Sequence, residues 1–195
     1  MLRVLRAVDA AFEPPRTAGV APFSVALEAG ERGGLTLPSA AAASIAARLA
    51  AGIVKITGGT LFIGDYDPRI QPVQAKRMVG FVPRDGRFGD APREPILVPD
   101  LRAVVDFHAA LYEVERDVAR RAAAAVLDAF GGQSDLAVAC ALALIRPVAL
   151  LVLDQVPAAA EEIVAGLAGE RTAILTTRWA AVQPTAHRAL AAAGR

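Results

Sequence analysis

The stretch GLTLPSAAAASIAARLAAG, Gly34 to Gly52, decides how this chain is read. A short apolar run ends at Leu37, and a run of helix formers then ends at Gly52. That is the pattern of a strand followed at once by a helix. Alanine is the strongest helix former, serine is a good N-cap and glycine a natural C-terminal stop. The helix is therefore predicted to begin at Ser39 or Ala40 and to end near Ala51. In many α/β proteins a glycine-rich turn at such a junction holds a phosphate. Here the junction carries four alanines, Ala40 to Ala43.

Outward from this junction, strands and helices alternate. PFSVALEAGE is a half-buried strand closing on the Gly30-Glu31 turn, and GGTLFIGDYDP and RMVGFVPRDG are strands between turn signals. Residues 87–99 are rich in Pro, Gly and charge and are expected to be a surface loop. Helices are predicted in DLRAVVDFHAALY, in VERDVARRAAAAVLDAF and over Ser134–Ile145. The first should place Leu101, Val104, Val105, His108 and Leu111 near one face. ALLVLD is a continuous apolar run, expected at the centre of a parallel sheet. AAEEIVAGLAG is a helix, TAILTT a strand, and the alanine-rich C-terminus another helix. Strand–helix alternation around a block of helices predicts an α/β sheet with a helical lobe.

Composition narrows the function. The net charge is +1, so no basic surface advertises nucleic acid. Cys140 is the sole cysteine and His108 and His187 the sole histidines, which argues against a disulfide or a metal site within the chain. MLRVLRAVDAAFEPPR has neither the apolar core nor the cleavage pattern of a signal peptide. The longest apolar run, LAVACALALIRPVALLVLD, is broken by Arg146-Pro147, and neither half approaches the ~20 residues of a membrane span. The chain is expected to be cytoplasmic, with room for a peripheral place on the inner face of the cell membrane.

Six segments in chain order resemble the ATP-binding subunits of ABC transporters. FSVALEAGERGGL is similar to the strand and turn before the family's phosphate loop, and RLAAGIVKITGGTLFIGDYDP to the segment after it. KRMVGFVPRD, FGGQ, RPVALLVLDQVP and GERTAILTTR resemble the glutamine loop, the end of the signature, the Walker B strand and the switch strand. The resemblance runs from about Phe12 to Arg195. It implies one domain over 1–195 with a P-loop NTPase-like ABC-ATPase core. That core is a mixed sheet with flanking helices and N-terminal antiparallel strands, and its helical subdomain, about 86–146, is reduced.

The departures fall on the chemistry. Leu37, Ala40 and Ala42 stand where the family's phosphate loop has glycines, which permit left-handed backbone and close approach to phosphate. Ala43 replaces the phosphate-binding lysine, Ser39 lies within the loop, and Ser44 remains at the magnesium position. Asp154 matches the Walker B aspartate, but Gln155 stands at the catalytic glutamate and cannot take a proton. Arg84 replaces the glutamine that senses magnesium and water, and Arg178 replaces the switch histidine. Phe130 takes the place of the signature serine, while Gly131, Gly132 and Gln133 remain.

Read as ordinary residues, the same positions have structural roles. Ala40–Ala43 make plain helix. Asp154 caps a turn or meets Arg178 or Arg84, in preference to binding a cation. Arg84 and Arg178 pair with local carboxylates or lie in solvent, in preference to binding an anion. Cys140 and His108 are packing residues, as are Phe12 and Trp179, whose other reading is a nucleobase platform.

The resemblance with its losses implies a non-hydrolysing pseudo-ATPase. It would be a structural or regulatory subunit of an ABC-type membrane complex, with a permease subunit and a competent ATPase as partners. It implies no metal and no cofactor, ATP and magnesium being held weakly if at all. The alternatives are a working ATP-driven subunit with atypical motifs, and a free-standing adaptor on the same fold.

Overall fold

A computed structural model describes residues 3–13, 19–86, 98–180 and 189–191. Strands β1 (Arg3–Phe12), β2 (Val20–Glu28) and β4 (Gly58–Ile63) form an antiparallel sheet in the order β2-β1-β4. Strands β3 (Arg32–Leu37), β5 (Val79–Val82), β6 (Leu150–Asp154), β7 (Ala173–Trp179) and β8 (Ala189–Ala191) form a second sheet in the order β5-β6-β7-β3-β8. Every pairing in the second sheet is parallel.

Helix α1 (Ala40–Ala50) belongs to the same core cluster as both sheets. Its Ala42, Ala43, Ala46, Ala47, Leu49 and Ala50 are all buried. Ala41 is exposed and Ser44, Ile45 and Arg48 are half-buried, so the helix buries a broad apolar face and leaves one side near the surface. Its alanines also keep it thin enough to pack closely between sheets. The helix stops at Gly52, where φ is +65°, a left-handed turn that glycine takes without strain.

The other face of the parallel sheet carries a second cluster. It contains Leu151, Leu153 and Ile174 from the strands, with residues of α3 (Val98–Leu111), α4 (Arg116–Ala129), α5 (Asp135–Leu144) and α6 (Ala158–Leu167). Strand β6 is buried at all five positions, as a strand covered on both faces must be. It lies between β5 and β7 and so is interior to the sheet, one place from its centre. Among the described residues, no helix is long and apolar enough to cross a membrane.

Three expectations need correction or restriction. Ala189–Ala191, expected to be helical, form β8 and pair in parallel with β3. A helix advantage of a few tenths of a kcal/mol per residue yields there to the hydrogen bonds offered by the open edge of β3. The stripe on α3 is only partly buried: Leu101 and Val105 face the core, while Leu111 is more than half exposed. Most of the expected loop over 87–99 lies outside the described residues, and α3 already begins at Val98.

Candidate functional site

The junction between β3 and α1 is helix from Ala40 onward. Ser39 has extended backbone, with φ −146° and ψ 159°, and its Oγ accepts a hydrogen bond from the Ala42 amide at 3.1 Å. The Ala43 amide donates to the Ser39 carbonyl at 2.9 Å. This is a standard serine N-cap, with an ordinary first helical turn across the alanines. Ala43 is fully buried.

Behind that turn lies the end of β6. Asp154, only 2% exposed, is held beside α1 by the Ser44 hydroxyl, which donates to Oδ1 at 3.0 Å. Gln155 follows with φ +53°, an uncommon conformation for a residue with a side chain. Its backbone amide donates to the Thr177 carbonyl at 3.0 Å. Its Nε2 then reaches three oxygens: Ala40 O at 3.0 Å, Ser44 Oγ at 2.9 Å and Asp154 Oδ1 at 3.0 Å. Its Oε1 is buried with no hydrogen-bond partner, and so are the Oγ1 atoms of Thr176 and Thr177.

The neighbouring strand carries Arg178. Its guanidinium donates to the carboxylate of Glu161 in the first turn of α6, and both residues are buried. Arg178 thus finds its carboxylate on a helix, and Asp154 is satisfied by a hydroxyl and an amide.

No family model matches the sequence, and no curated protein is similar to it in sequence. Solved structures share its architecture. An ABC transporter ATP-binding protein from Pyrococcus furiosus superposes with a TM-score of 0.65 at 15% identity, over 97% of this chain and 96% of its own. For CbiO1 from Clostridium perfringens, part of the ABC transporter complex cbiONQ, the TM-score is 0.62 at 16% identity, over 91% of this chain and 79% of its own. An ATP-binding cassette in a dimeric post-hydrolysis state bound to ADP and Pi gives 0.68 at 13% identity, over 89% and 87%. The chain has the fold of an ABC transporter ATP-binding subunit.

In an ABC-ATPase fold, Arg84 follows β5 in a turn closed by Gly86. Its Nε lies 3.6 Å from Asp85, an exposed pair worth little. Gly86, at φ +70°, touches the backbone of Asp135 and Leu136 so closely that a Cβ would stand about 2.2 Å from it. The turn carrying Arg84 is thereby pressed against the start of α5.

Gly131, Gly132 and Gln133 form an exposed turn between α4, capped by Phe130, and α5, capped by Ser134. Gly131 has φ +70° and Gly132 φ +137°, with open space around both. The Ser134 Oγ accepts from the Ala137 amide at 3.1 Å. Cys140 is buried in α5, and burial pushes its thiol up to about 12. His108 Nδ1 lies 2.8 Å from the Val104 carbonyl on its own helix.

Glu161 and the reach of the Gln155 amide were not anticipated from the sequence. A signal existed for Glu161. In AAAEEIVAGL the buried positions are 160, 161, 164 and 165, a helical stripe with one carboxylate on it. For the Gln155 contacts no signal existed, because they depend on an unusual φ and on α1 lying across the end of β6.

Proposed function

We propose that this chain is a degenerate ABC-type nucleotide-binding subunit that does not hydrolyse ATP. It serves as a structural or regulatory part of an ABC-type membrane transport complex. The observation that carries this reading is the first turn of α1, where Ala40–Ala43 continue a serine-capped helix and Ala43 is fully buried. A nucleotide's phosphates need a nest of amides on glycine backbone and a lysine. One exposed helix N-terminus attracts an anion by only about 0.3–1 kcal/mol.

The residues do not fit a magnesium–nucleotide. Ser44 Oγ and Asp154 Oδ1 would be its cation ligands, and a hydrogen-bond donor, the Gln155 amide, already sits against both. Gln155 cannot accept a proton from an attacking water, and Arg178 is tied to Glu161.

In this reading the chain works at the cytoplasmic face, held to the membrane through a permease and paired with a competent ATPase. The dimeric cassette and the CbiO1 complex among its structural relatives favour that arrangement. So does the turn at Gly131–Gln133, whose glycines leave room for a partner's phosphate to approach the backbone.

The test is steady-state phosphate release from Mg-ATP. The purified chain should show none above background, and turnover would overturn the proposal. A complex with the permease and the active ATPase should lose turnover on Gly131→Asp, since aspartate tolerates the φ of +70° found there and brings a charge toward the partner's nucleotide. Unchanged turnover in that complex would reduce the turn to a structural feature.

A further inference from the structure

We propose that the Gln155 side-chain amide is an internal substitute for a divalent cation, a plug that keeps Asp154 and Ser44 from binding one. Asp154 places a carboxyl group at the buried end of β6. The residue is 2% exposed, and among the described residues no cation pairs with it. A buried carboxylate demands hydrogen bonds. Two reach the same oxygen: Ser44 Oγ at 3.0 Å and Gln155 Nε2 at 3.0 Å.

The amide nitrogen touches three oxygens that come from different parts of the fold. Ala40 O belongs to the first turn of α1, Ser44 Oγ to the second, and Asp154 Oδ1 to the end of β6. A carboxylate, a hydroxyl and a carbonyl converging on one point form an oxygen set of the kind hard cations take. Here the point is occupied by an N–H₂ group. Its two hydrogens serve three acceptors, so one of them is shared. The Ser44 hydroxyl in turn donates to Asp154 Oδ1.

Two costs show that the placement is specific. Gln155 has φ +53°, which a side chain disfavours and glycine would take freely. Its Oε1 is left buried and unpaired. Turning the amide over would set that oxygen against the Ala40 carbonyl and the Asp154 carboxylate, neither of which has a hydrogen to donate. Strain and an unsatisfied polar atom persist where the surroundings over-determine a position.

The plug rests on the reading of this site as one that takes no magnesium–nucleotide. Mn²⁺ without nucleotide therefore tests it, so that the two ideas can fail separately. Wild-type chain and Gln155→Ala are titrated with Mn²⁺, following broadening of the Ser44 and Asp154 amide signals and the melting temperature. The wild type should show neither broadening nor a shift. Gln155→Ala should show selective broadening at both residues, with a rise of roughly 3–6 °C when Mn²⁺ stands at ten times its Kd. Equal broadening of the wild type, or none in a folded variant, overturns the proposal. A second readout needs no variant: the Gln155 side-chain N–H₂ should exchange with solvent far more slowly than that of exposed Gln133, and equal rates also overturn it.

Discussion

Glu161→Ala should be among the most damaging single substitutions available in this chain. Arg178 and Glu161 are 9% and 5% exposed, and their ion pair joins the end of β7 to the first turn of α6. Removing the carboxylate leaves a guanidinium buried without its counter-charge. Such a loss costs about 3–5 kcal/mol. For a chain of this size each kcal/mol moves the melting temperature by about 2–4 °C. The expected fall is therefore roughly 6–20 °C, although alanine itself favours helix. The double variant Glu161→Leu with Arg178→Met removes both charges and keeps most of the volume, and it should melt near the wild type or above it. Circular dichroism melts of the wild type, Glu161→Leu, Arg178→Met and their double variant complete a cycle. A Glu161→Ala protein melting within about 2 °C of wild type would refute the buried-pair account. Stabilisation of the wild type by millimolar phosphate would point instead to an Arg178 open to anions.

Ala43→Lys should yield no ATPase activity, because the glycine nest, the glutamate and the histidine stay absent, and it should also lower the melting temperature by placing an ammonium where no side-chain surface is exposed. Asp67 and Asp106 are held below the usual carboxylate range, first by hydrogen bonds from Arg69 and Arg120 respectively. Their contribution to stability is then present above the unfolded value of about 3.9 and is lost as pH falls through the lower folded values. Asp67→Asn and Asp106→Asn should each flatten the fall of the urea midpoint in that acid range. Cys140, its thiol pushed up to about 12 by burial, should react with a disulfide reagent at pH 8 only once the chain unfolds, and rapid native labelling would contradict the packing of α5.

Much of the fold was legible because several signals agreed at each element. In α1 the serine cap, the alanine run and Gly52 all specify one helix, and the helix forms within those limits. In β6 five apolar or buried positions in a row leave little choice but an interior parallel strand. The misses arose where local signals were weak or contradicted. Strand β1 is interrupted by a bulge at Asp9, whose φ of +49° breaks the period of two. The six-residue helix α2 (Pro72–Arg77) is too short to show a helical period. Strand β8 runs against the propensity of its alanines. At the candidate site the sequence offered single residues, each read at its own position. What the sequence could not convey was their mutual arrangement: Gln155 turned onto Asp154, and Arg178 claimed by Glu161.

The central claim is that this ABC-ATPase fold no longer holds a nucleotide, and calorimetric titration of the purified chain with Mg-ATP tests it most directly. The account predicts no saturable heat up to millimolar nucleotide, because Ala40–Ala43 form a capped helical turn and Gln155 faces Ser44 and Asp154. Saturable one-to-one binding in the micromolar range, equivalent to about −8 kcal/mol, would contradict it.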